Sequence, residues 1–301
     1  MDKLRVTFAG KEFSNPVTTA SGTFGSGMEY SEFVDLHKLG AVTTKGVASV
    51  PWEGNPVPRI AETHAGMLNA IGLQNPGIET FIARDLPYLR EQHARVIVNV
   101  CGRSKEDYVE VVERLSEEDV DMLEINISCP NVEHGGIAFG QEPKMVEHIT
   151  KEVKKTTHLP ISMKLTPNVT DITEIAKAAE YGGADALSLI NTITGMRIDI
   201  RKKTFSVANK TGGLSGAAIK PIALRMVYQV CKAVHIPVIG MGGIATTEDA
   251  LEFIMAGATG IAVGTANFRN PYVMLEIIDG LQKYMEENNV EDLQEIRAIV
   301  D

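Results

Sequence analysis

The sequence predicts an α/β fold in which eight parallel strands and the helices that follow them close into a (β/α)8 TIM barrel. Short runs rich in β-branched residues recur along the chain, and segments with a helical spacing of apolar residues lie between most of them. Nearly continuous apolar strands that alternate with helices indicate a parallel sheet covered on both faces. Eight such units in 301 residues favour a closed barrel over an open, doubly wound sheet.

The predicted elements follow one another in order along the chain. The strands are expected at Pro16–Ser21, Ala41–Val47, Arg95–Val100, Met122–Ser128, Ile161–Leu165, Ala186–Asn191, Pro237–Met241 and Gly260–Thr265. The helices are expected at Ile78–Glu91, Lys105–Leu115, Glu142–Thr156, Ile172–Tyr181, Ile219–Val234, Thr247–Ala256 and Pro271–Glu286. No linker or low-complexity tract interrupts this order, so we expect one domain that spans residues 1–301.

Additional segments are expected around the barrel. Two short pieces, Leu4–Phe8 and Glu12–Phe13, predict an N-terminal hairpin that closes the bottom of the barrel. Long loops are expected after strands 2, 4 and 6. Residues 48–77 and 193–216 are too long for plain crossovers, and the glycine-rich segment 132–140 follows strand 4. Long excursions at the carboxyl ends of barrel strands build lids and binding walls.

The composition argues against several classes of function. The chain is 44% hydrophobic and 23% charged, which is ordinary for a soluble globular protein. Its net charge of −10 argues against nucleic acid and anionic membrane surfaces as partners. No apolar run approaches the ~18 residues of a membrane span, and no export leader follows Met1. Three cysteines without paired spacing indicate a reducing cytoplasm, and seven scattered histidines show no metal-ligand spacing.

Polar residues gather where the predicted strands end. In a (β/α)8 barrel the carboxyl ends of the strands meet on one face, and chemistry is found there. These ends supply Ser21, Lys45, Gly46, Asn99, Asn126, Lys164, Asn191 and Thr192. Two lysines that each follow an apolar strand are unusual, because buried lysines are rare without anionic partners. The set predicts a ligand site at this mouth of the barrel.

Cys129 is the candidate catalytic residue. It lies in the segment Asn-Ile-Ser-Cys-Pro-Asn at 126–131, where an apolar strand gives way to a loop with three glycines. A lone cysteine is most often a small core hydrophobe. Here the strand end, the two flanking carboxamides and the glycine loop favour a reactive thiol beneath a lid.

Glycines after the last two strands predict a phosphate site. Gly242 and Gly243 follow the seventh strand, and Gly264 and Thr265 end the eighth. Backbone N–H groups at glycines can approach an anion closely, and these two loops are the usual phosphate site of this fold. A phosphate beside a lysine-lined floor suggests a flat, electron-accepting cofactor, and FMN fits. A lysine near its pyrimidine edge would stabilise the negative charge of the reduced ring.

These motifs together resemble the dihydroorotate dehydrogenases. The similarity is carried by the segment at 126–131, by Asn-Ala-Ile-Gly-Leu-Gln-Asn-Pro-Gly at 69–77, by Thr-Lys-Gly at 44–46 and by the paired glycine loops. It runs over essentially the whole chain. A cysteine rather than a serine as base is typical of the soluble class 1 enzymes. The segments at 69–73 and 135–140 are most similar to the catalytic subunit of the NAD-linked class 1B.

The resemblance implies a role for each matching residue. Cys129 would take a proton from C5 of (S)-dihydroorotate while a hydride leaves C6 for the flavin, and the product orotate belongs to de novo pyrimidine (UMP) biosynthesis. FMN contacts are implied for Ser21, Lys45, Gly46, Asn99, Asn126, Lys164, Ile190, Gly216, Gly242, Gly243, Gly264 and Thr265. Substrate contacts are implied for Lys45, Asn69, Ala70, Ile71, Gly72, Leu73, Asn126, Asn191 and Thr192.

The resemblance also implies a partner for electron transfer. Class 1B enzymes pass electrons to NAD through a subunit that carries FAD and a 2Fe-2S cluster. This chain has neither cluster-forming cysteine spacing nor a Gly-x-Gly-x-x-Gly dinucleotide fingerprint. Class 1 chains typically dimerise, which would give a heterotetramer.

Three alternatives stay open on the residues alone. The first is a class 1A-type enzyme that reduces a soluble acceptor such as fumarate. The second is a phosphate-binding barrel aldolase in which Lys164 forms a Schiff base. The third is a catalytically silent barrel that acts as a binding module.

Overall fold

The structure, a computed structural model, describes residues 2–128 and 139–300. The strands within those residues are β1 (Val6–Phe8), β2 (Lys11–Phe13), β3 (Val17–Thr19), β4 (Val42–Thr43), β5 (Ile60–Thr63), β6 (Gly66–Asn69), β7 (Val96–Val100), β8 (Met122–Asn126), β9 (Ile161–Lys164), β10 (Ala186–Leu189), β11 (Ile193–Met196), β12 (Ile198–Asp199), β13 (Thr204–Phe205), β14 (Thr211–Ser215), β15 (Val238–Met241) and β16 (Gly260–Val263). The α-helices are α1 (Ile78–Thr80), α2 (Leu86–Glu91), α3 (Lys105–Leu115), α4 (Pro143–Thr156), α5 (Ile172–Tyr181), α6 (Lys220–Ala233), α7 (Thr247–Met255) and α8 (Val273–Glu287). Short 3-10 helices cover Asp2–Leu4, Tyr30–Glu32, Leu36–Lys38, Phe139–Gln141, Ala217–Ile219, Thr265–Phe268 and Leu293–Glu295.

Eight of these strands form one parallel sheet that closes into a barrel. Their order is β3-β16-β15-β10-β9-β8-β7-β4, and the paired neighbours are parallel. The outer strands meet where Thr18 pairs with Ala41, and the Gly40 N–H donates to the Val17 carbonyl over 2.8 Å. The predicted (β/α)8 barrel is confirmed. Each barrel strand is shorter than the segment predicted for it, because residues at one or both ends of the segment belong to the adjoining loops.

The helices begin where the sequence places capping residues. Ser104 accepts a hydrogen bond from the Asp107 N–H at the start of α3, and Thr246 and Asp249 form a capping box at the start of α7. Such caps satisfy N–H groups that have no partner inside the helix. α3 and α5 have the predicted bounds, and α4, α6, α7 and α8 differ from theirs by one or two residues. Among the described residues, no helix combines the length and apolar character that crossing a bilayer requires.

Two local features differ from the prediction. The helix expected at Ile78–Glu91 is interrupted by a π-helical turn at Phe81–Asp85. The spacing of apolar residues does not reveal a single π-helical turn, because the α-helical turns on either side keep the usual period of about 3.6 residues. Leu4, predicted in the first hairpin strand, instead ends a 3-10 helix, and β1 begins at Val6.

The N-terminal hairpin fills the lower, amino-terminal end of the barrel. β1 and β2 pair antiparallel, and the rings of Phe8 and Phe13 stack with their centroids 4.0 Å apart. Both rings are buried in an apolar cluster with Ile97, Met122 and Ile239 from the barrel strands. The predicted hairpin is confirmed, and its two phenylalanines close this end.

The long connections after β4 and β10 pair with each other in a second sheet. This sheet is antiparallel, with the order β11-β14-β6-β5. The sequence predicted two long excursions but not their pairing. Asn69 and Gly213 pair although 144 residues separate them, and no local pattern reports so distant a contact. Most of the loop predicted after the fourth barrel strand, residues 129–138, lies outside the described residues.

Candidate active site

The carboxyl ends of the barrel strands open into one large cavity, which the four-stranded sheet also lines. Its volume is about 1830 Å³. Ligand pockets usually measure about 300–1,000 Å³, so this cavity has room for more than one small molecule. The described residues with predicted site roles all line it: Ser21, Lys45, Gly46, Asn69, Ala70, Ile71, Gly72, Leu73, Asn99, Asn126, Lys164, Ile190, Asn191, Thr192, Gly216, Gly242, Gly243, Gly264 and Thr265.

Alternation along the strands makes the floor of this cavity polar. Side chains two residues apart share one face of a strand, so Ile97 and Asn99 both point inward from β7. Met122 and Glu124 do the same on β8. The lower residue of each pair packs against the hairpin, and the upper one is a buried polar group. Their neighbour Val98 belongs instead to the apolar layer between sheet and helices.

Lys164 is a buried cation at the cavity floor. It ends β9 and is only 3% exposed. Its Nζ donates to Ser21 Oγ over 2.8 Å and lies 3.6 Å from Glu124 Oε1. A buried ammonium requires such partners, because an unpaired buried charge is strongly destabilising. Ser21 accepts only one of the three N–H donors, so another can serve a ligand.

Glu124 is a site residue that the sequence patterns did not single out. It is 3% exposed, and its two carboxylate oxygens accept hydrogen bonds from Asn99 Nδ2 and Ser188 Oγ, each over 2.7 Å. The signal for it was present in the sequence. A glutamate inside the apolar run Met122–Asn126 is rarely buried unless it is paired.

Asn99 lines the cavity and carries a buried acceptor without a partner among the described residues. Its Nδ2 is committed to Glu124, whereas its buried Oδ1 has no hydrogen-bond partner within residues 2–128 and 139–300. A Cβ at Gly46 would lie 3.1 Å from this oxygen, so any larger residue at position 46 would crowd it. Buried acceptors without partners are uncommon and costly. The arrangement therefore fits a ligand that brings a donor.

Lys45 is the second lysine of the cavity and is partly buried. Its Nζ lies beside Gly22, 3.7 Å from the position that a Cβ would occupy there. Burial lowers the pKa of Lys45, the neighbouring Cys101 opposes this shift, and the positive charge of Lys164 adds to it. Loss of hydration disfavours the charged form of a lysine. An anionic ligand would offset that cost.

The glycine loops after β15 and β16 converge on the end of β14. Gly243 has φ +82°, and a Cβ there would lie 2.9 Å from the carbonyl oxygen of Gly216, so a side chain does not fit. Thr265 Oγ1 donates to Ser215 Oγ over 2.8 Å. Three separate segments thus form one wall, at the place where the sequence predicts a phosphate.

Residues predicted to contact substrate come together from distant parts of the chain. Asn69 Nδ2 donates to the Gly213 carbonyl over 3.4 Å. Asn168, which the sequence did not single out, donates to the Thr192 carbonyl over 3.1 Å and accepts from the Thr194 N–H over 2.9 Å. This asparagine holds the turn after β10 against the preceding βα loop.

Cys129, the predicted catalytic residue, lies outside the described residues. The strand end before it is well anchored. Ser128 Oγ donates to the Lys164 carbonyl over 3.1 Å, and the Asn126 carbonyl accepts from the Tyr108 hydroxyl over 2.7 Å. Asn126 and Ser128 both line the cavity.

A barrel whose strand ends converge on buried lysines, amides and glycine loops belongs to the class of (β/α)8 enzymes. Residues 3–285 match the family model described as dihydroorotate dehydrogenase. The catalytic subunit of dihydroorotate dehydrogenase B (NAD(+)) from Lachnoclostridium phytofermentans is 68% identical, over 98% of each chain. The subunit of the same name from Alkaliphilus metalliredigens is 62% identical, over 98% of each chain. The one from Alkaliphilus oremlandii is also 62% identical, over 97% of this chain and 96% of its own.

The chain therefore belongs to the dihydroorotate dehydrogenase family and is an oxidoreductase. The resemblance seen in the sequence motifs is confirmed. The aldolase and the silent barrel, which the residues alone left open, do not agree with this membership.

Proposed function

We propose that this chain is the catalytic subunit of an NAD-linked, class 1B dihydroorotate dehydrogenase. It would oxidise (S)-dihydroorotate to orotate in de novo pyrimidine biosynthesis, with FMN as its cofactor. Family membership supports the reaction, and the relatives named as NAD(+)-linked catalytic subunits support the NAD-linked form. One observation carries the proposal: a buried cation, Lys164, lies on the same cavity floor as Asn99, whose Oδ1 has no partner among the described residues.

The cavity floor fits the pyrimidine edge of a flavin. That edge carries an imide N–H between two carbonyl groups, and Asn99 Oδ1 and Lys164 Nζ would supply the acceptor and the cation it requires. The glycine wall near Gly243 and Thr265 would take the phosphate. When bound, FMN would supply the acceptor for the two electrons of the reaction. The other proposed FMN contacts are Ser21, Lys45, Gly46, Asn126, Ile190, Gly216, Gly242 and Gly264.

The chain itself would bind the substrate and remove a proton. Cys129 is the proposed base for the C5 proton, and its thiol must ionise to act. Carboxamides suit a substrate with imide and carboxylate edges, because each has both donors and an acceptor. The partly buried Lys45 would gain a counter-ion from the substrate carboxylate. The proposed substrate contacts are Lys45, Asn69, Ala70, Ile71, Gly72, Leu73, Asn126, Asn191 and Thr192.

Electrons would leave this chain through a second protein. We propose a partner subunit that carries FAD and a 2Fe-2S cluster, and two copies of each chain in a heterotetramer. The words "catalytic subunit" in the names of the relatives support a separate partner. We also propose that residues 1–301 form a single FMN-binding domain and that the enzyme is cytoplasmic.

Flavin content and acceptor use test the proposal. The purified chain should be yellow and release FMN on denaturation, and anaerobic dihydroorotate should bleach its visible band. NAD reduction should be slow with the chain alone and rise when the FAD and iron–sulfur subunit is added. A colourless protein would overturn the cofactor assignment. Rapid NAD reduction by the isolated chain would overturn the partner, and turnover with fumarate alone would favour class 1A.

A further inference from the structure

We propose that Glu124 is a positioning residue of the flavin site. Its carboxylate sets the orientation of the Asn99 amide and balances the charge of Lys164. Glu124 lies below the cavity and is not part of the cavity wall, so it acts through these two side chains. This inference rests on the proposed function and deepens it.

Strand register brings Glu124 together with Asn99 and Lys164, and Asn126 lies beside them. Asn99 on β7 pairs directly with Glu124 on β8, and Asn126, two residues further along β8, pairs with Lys164 on β9. Residues two apart share a face, so all four point into the barrel. The contact between Glu124 and its neighbours is therefore a property of the sheet and not of a mobile loop.

The carboxylate determines which atom Asn99 offers to a ligand. An ionised carboxylate accepts hydrogen bonds and donates none, so only the Asn99 Nδ2 can bind it. The 2.7 Å bond from Nδ2 to Glu124 Oε1 leaves Oδ1 as the acceptor, and within residues 2–128 and 139–300 this atom has no partner. A neutral carboxamide at position 124 could donate as well as accept, and the Asn99 amide could then turn over.

The same carboxylate lowers the net positive charge on the cavity floor. Glu124 Oε1 lies 3.6 Å from Lys164 Nζ, and both side chains are buried, where charges interact more strongly than in water. Ser188 Oγ binds the second oxygen over 2.7 Å and holds the carboxylate in place. A negative charge here opposes the negative charge that a flavin gains on reduction. Glu124 thus keeps the flavin potential lower than Lys164 alone would set it.

A second buried acidic residue, next to the strand that carries Glu124, provides a matched control for substitution of Glu124. Asp121 immediately precedes β8 at its amino end, three residues before Glu124. It accepts from the Val96 N–H and from Arg95 Nη1, each over 2.7 Å. Its partners are backbone and arginine, and none of them lines the cavity. Asp121→Asn should therefore cost stability without altering the flavin.

The test compares flavin-loaded wild type, Glu124→Gln and Asp121→Asn. Glu124→Gln should bind reduced FMN about tenfold more tightly relative to oxidised FMN, which raises the midpoint potential by about 30 mV for a two-electron couple. Its affinity for oxidised FMN should fall, because the Asn99 amide is no longer held in one orientation. Asp121→Asn should unfold at lower urea concentration and keep the wild-type potential.

The outcomes distinguish failure of the proposed function from failure of the role of Glu124. A wild type without flavin overturns both. A flavin-containing wild type with an unchanged potential in Glu124→Gln overturns the role of Glu124 alone. If Glu124→Gln does not fold, Glu124→Asp carries the test, because it keeps the charge but is too short to reach Asn99. Its potential should stay near the wild-type value while FMN binds more weakly, and wild-type FMN affinity would overturn the inference.

Discussion

The two ends of the barrel are built from the same strands but from opposite chemistry. At the lower end Phe8 and Phe13 stack among inward apolar residues such as Met122. Two residues further along the same strand, the inner face carries Glu124, which binds Asn99. The lower end is closed by burial of apolar surface. The upper end keeps a buried acceptor, Asn99 Oδ1, that has no partner in the part of the chain that the structure describes. Stability and ligand chemistry are therefore separated along the barrel axis.

Electrostatics show the same difference. Near the lower end the buried Asp121 has two arginine partners, with Arg95 at 2.7 Å and Arg90 at 3.3 Å. At the upper end Asn99 Oδ1 has no partner among the described residues, and burial lowers the pKa of Lys45. Sites that bind and react commonly sacrifice stability in this way. Substitutions at the lower end should consequently reduce mainly the unfolding free energy. Substitutions at the upper end should change mainly flavin binding and flavin reduction.

The largest effect should come from the apolar end. Phe13→Ala removes a buried ring from the stacked pair, and such truncations cost about 3–5 kcal/mol of unfolding free energy. Urea unfolding measures this loss, and the rate of flavin reduction per bound flavin should stay at the wild-type value. Phe33, which is 49% exposed, provides the control, since surface substitutions usually stay within about 0.5 kcal/mol. Equal losses of rate and stability in Phe13→Ala would contradict the separation of the two ends.

The second largest effect should come from Cys129, the proposed base. Cys129→Ala should reduce its flavin about 10²-fold more slowly with dihydroorotate, the usual contribution of a positioned general base. In the wild type the single-turnover rate should climb with pH as the thiol ionises and then level off. Cys231→Ala is the matched control, because burial raises the pKa of that thiol to about 12 and keeps it unreactive. Near-normal reduction by Cys129→Ala would leave the proton abstraction without a residue.

Lys164→Ala should have a smaller effect on both binding and rate. Hydrogen bonds to charged groups contribute about 1.5–3 kcal/mol, so FMN affinity should fall by at least about tenfold, and flavin reduction should slow. Lys154→Ala removes a different lysine, whose Nζ lies 2.5 Å from Asp185 just before β10, and should leave FMN affinity unchanged. Full flavin occupancy and an unchanged rate in Lys164→Ala would show that this cation does not serve the flavin.

Lys45→Met should give the smallest effect. Unlike the preceding substitutions, which cause losses, it should raise the unfolding free energy. The folded-state pKa of Lys45 lies below its ordinary value of 10.5, so between those two values the unfolded chain binds more protons. Wild-type unfolding free energy should therefore rise with pH through this window. Below it, Lys45→Met should be more stable than wild type by about 0.5–2 kcal/mol without substrate. Urea unfolding across pH should show this advantage shrinking toward pH 10.5, and a constant difference would contradict it.

Much of the barrel could be predicted because its signals are local. Apolar runs and helical spacing placed α3 at its observed bounds, and Ser104 marks its start. Site residues at the strand ends, such as Asn99 and Lys164, could be predicted because strand ends converge in any (β/α)8 barrel. Those at 69–73 and Gly216 were implied only by the resemblance to the family. Glu124 was missed because the strands were read as continuous apolar runs, although its inward position follows from counting every second residue.

The sequence by itself determined the barrel, its hairpin and the polar residues at the strand ends, because each depends on neighbours a few positions away. Only the tertiary structure decided that β6 pairs with β14 and that Glu124 binds both Asn99 and Ser188. Those contacts join residues 144, 25 and 64 positions apart. Contacts at such separation are set by strand register and packing, which one-dimensional periodicity does not encode.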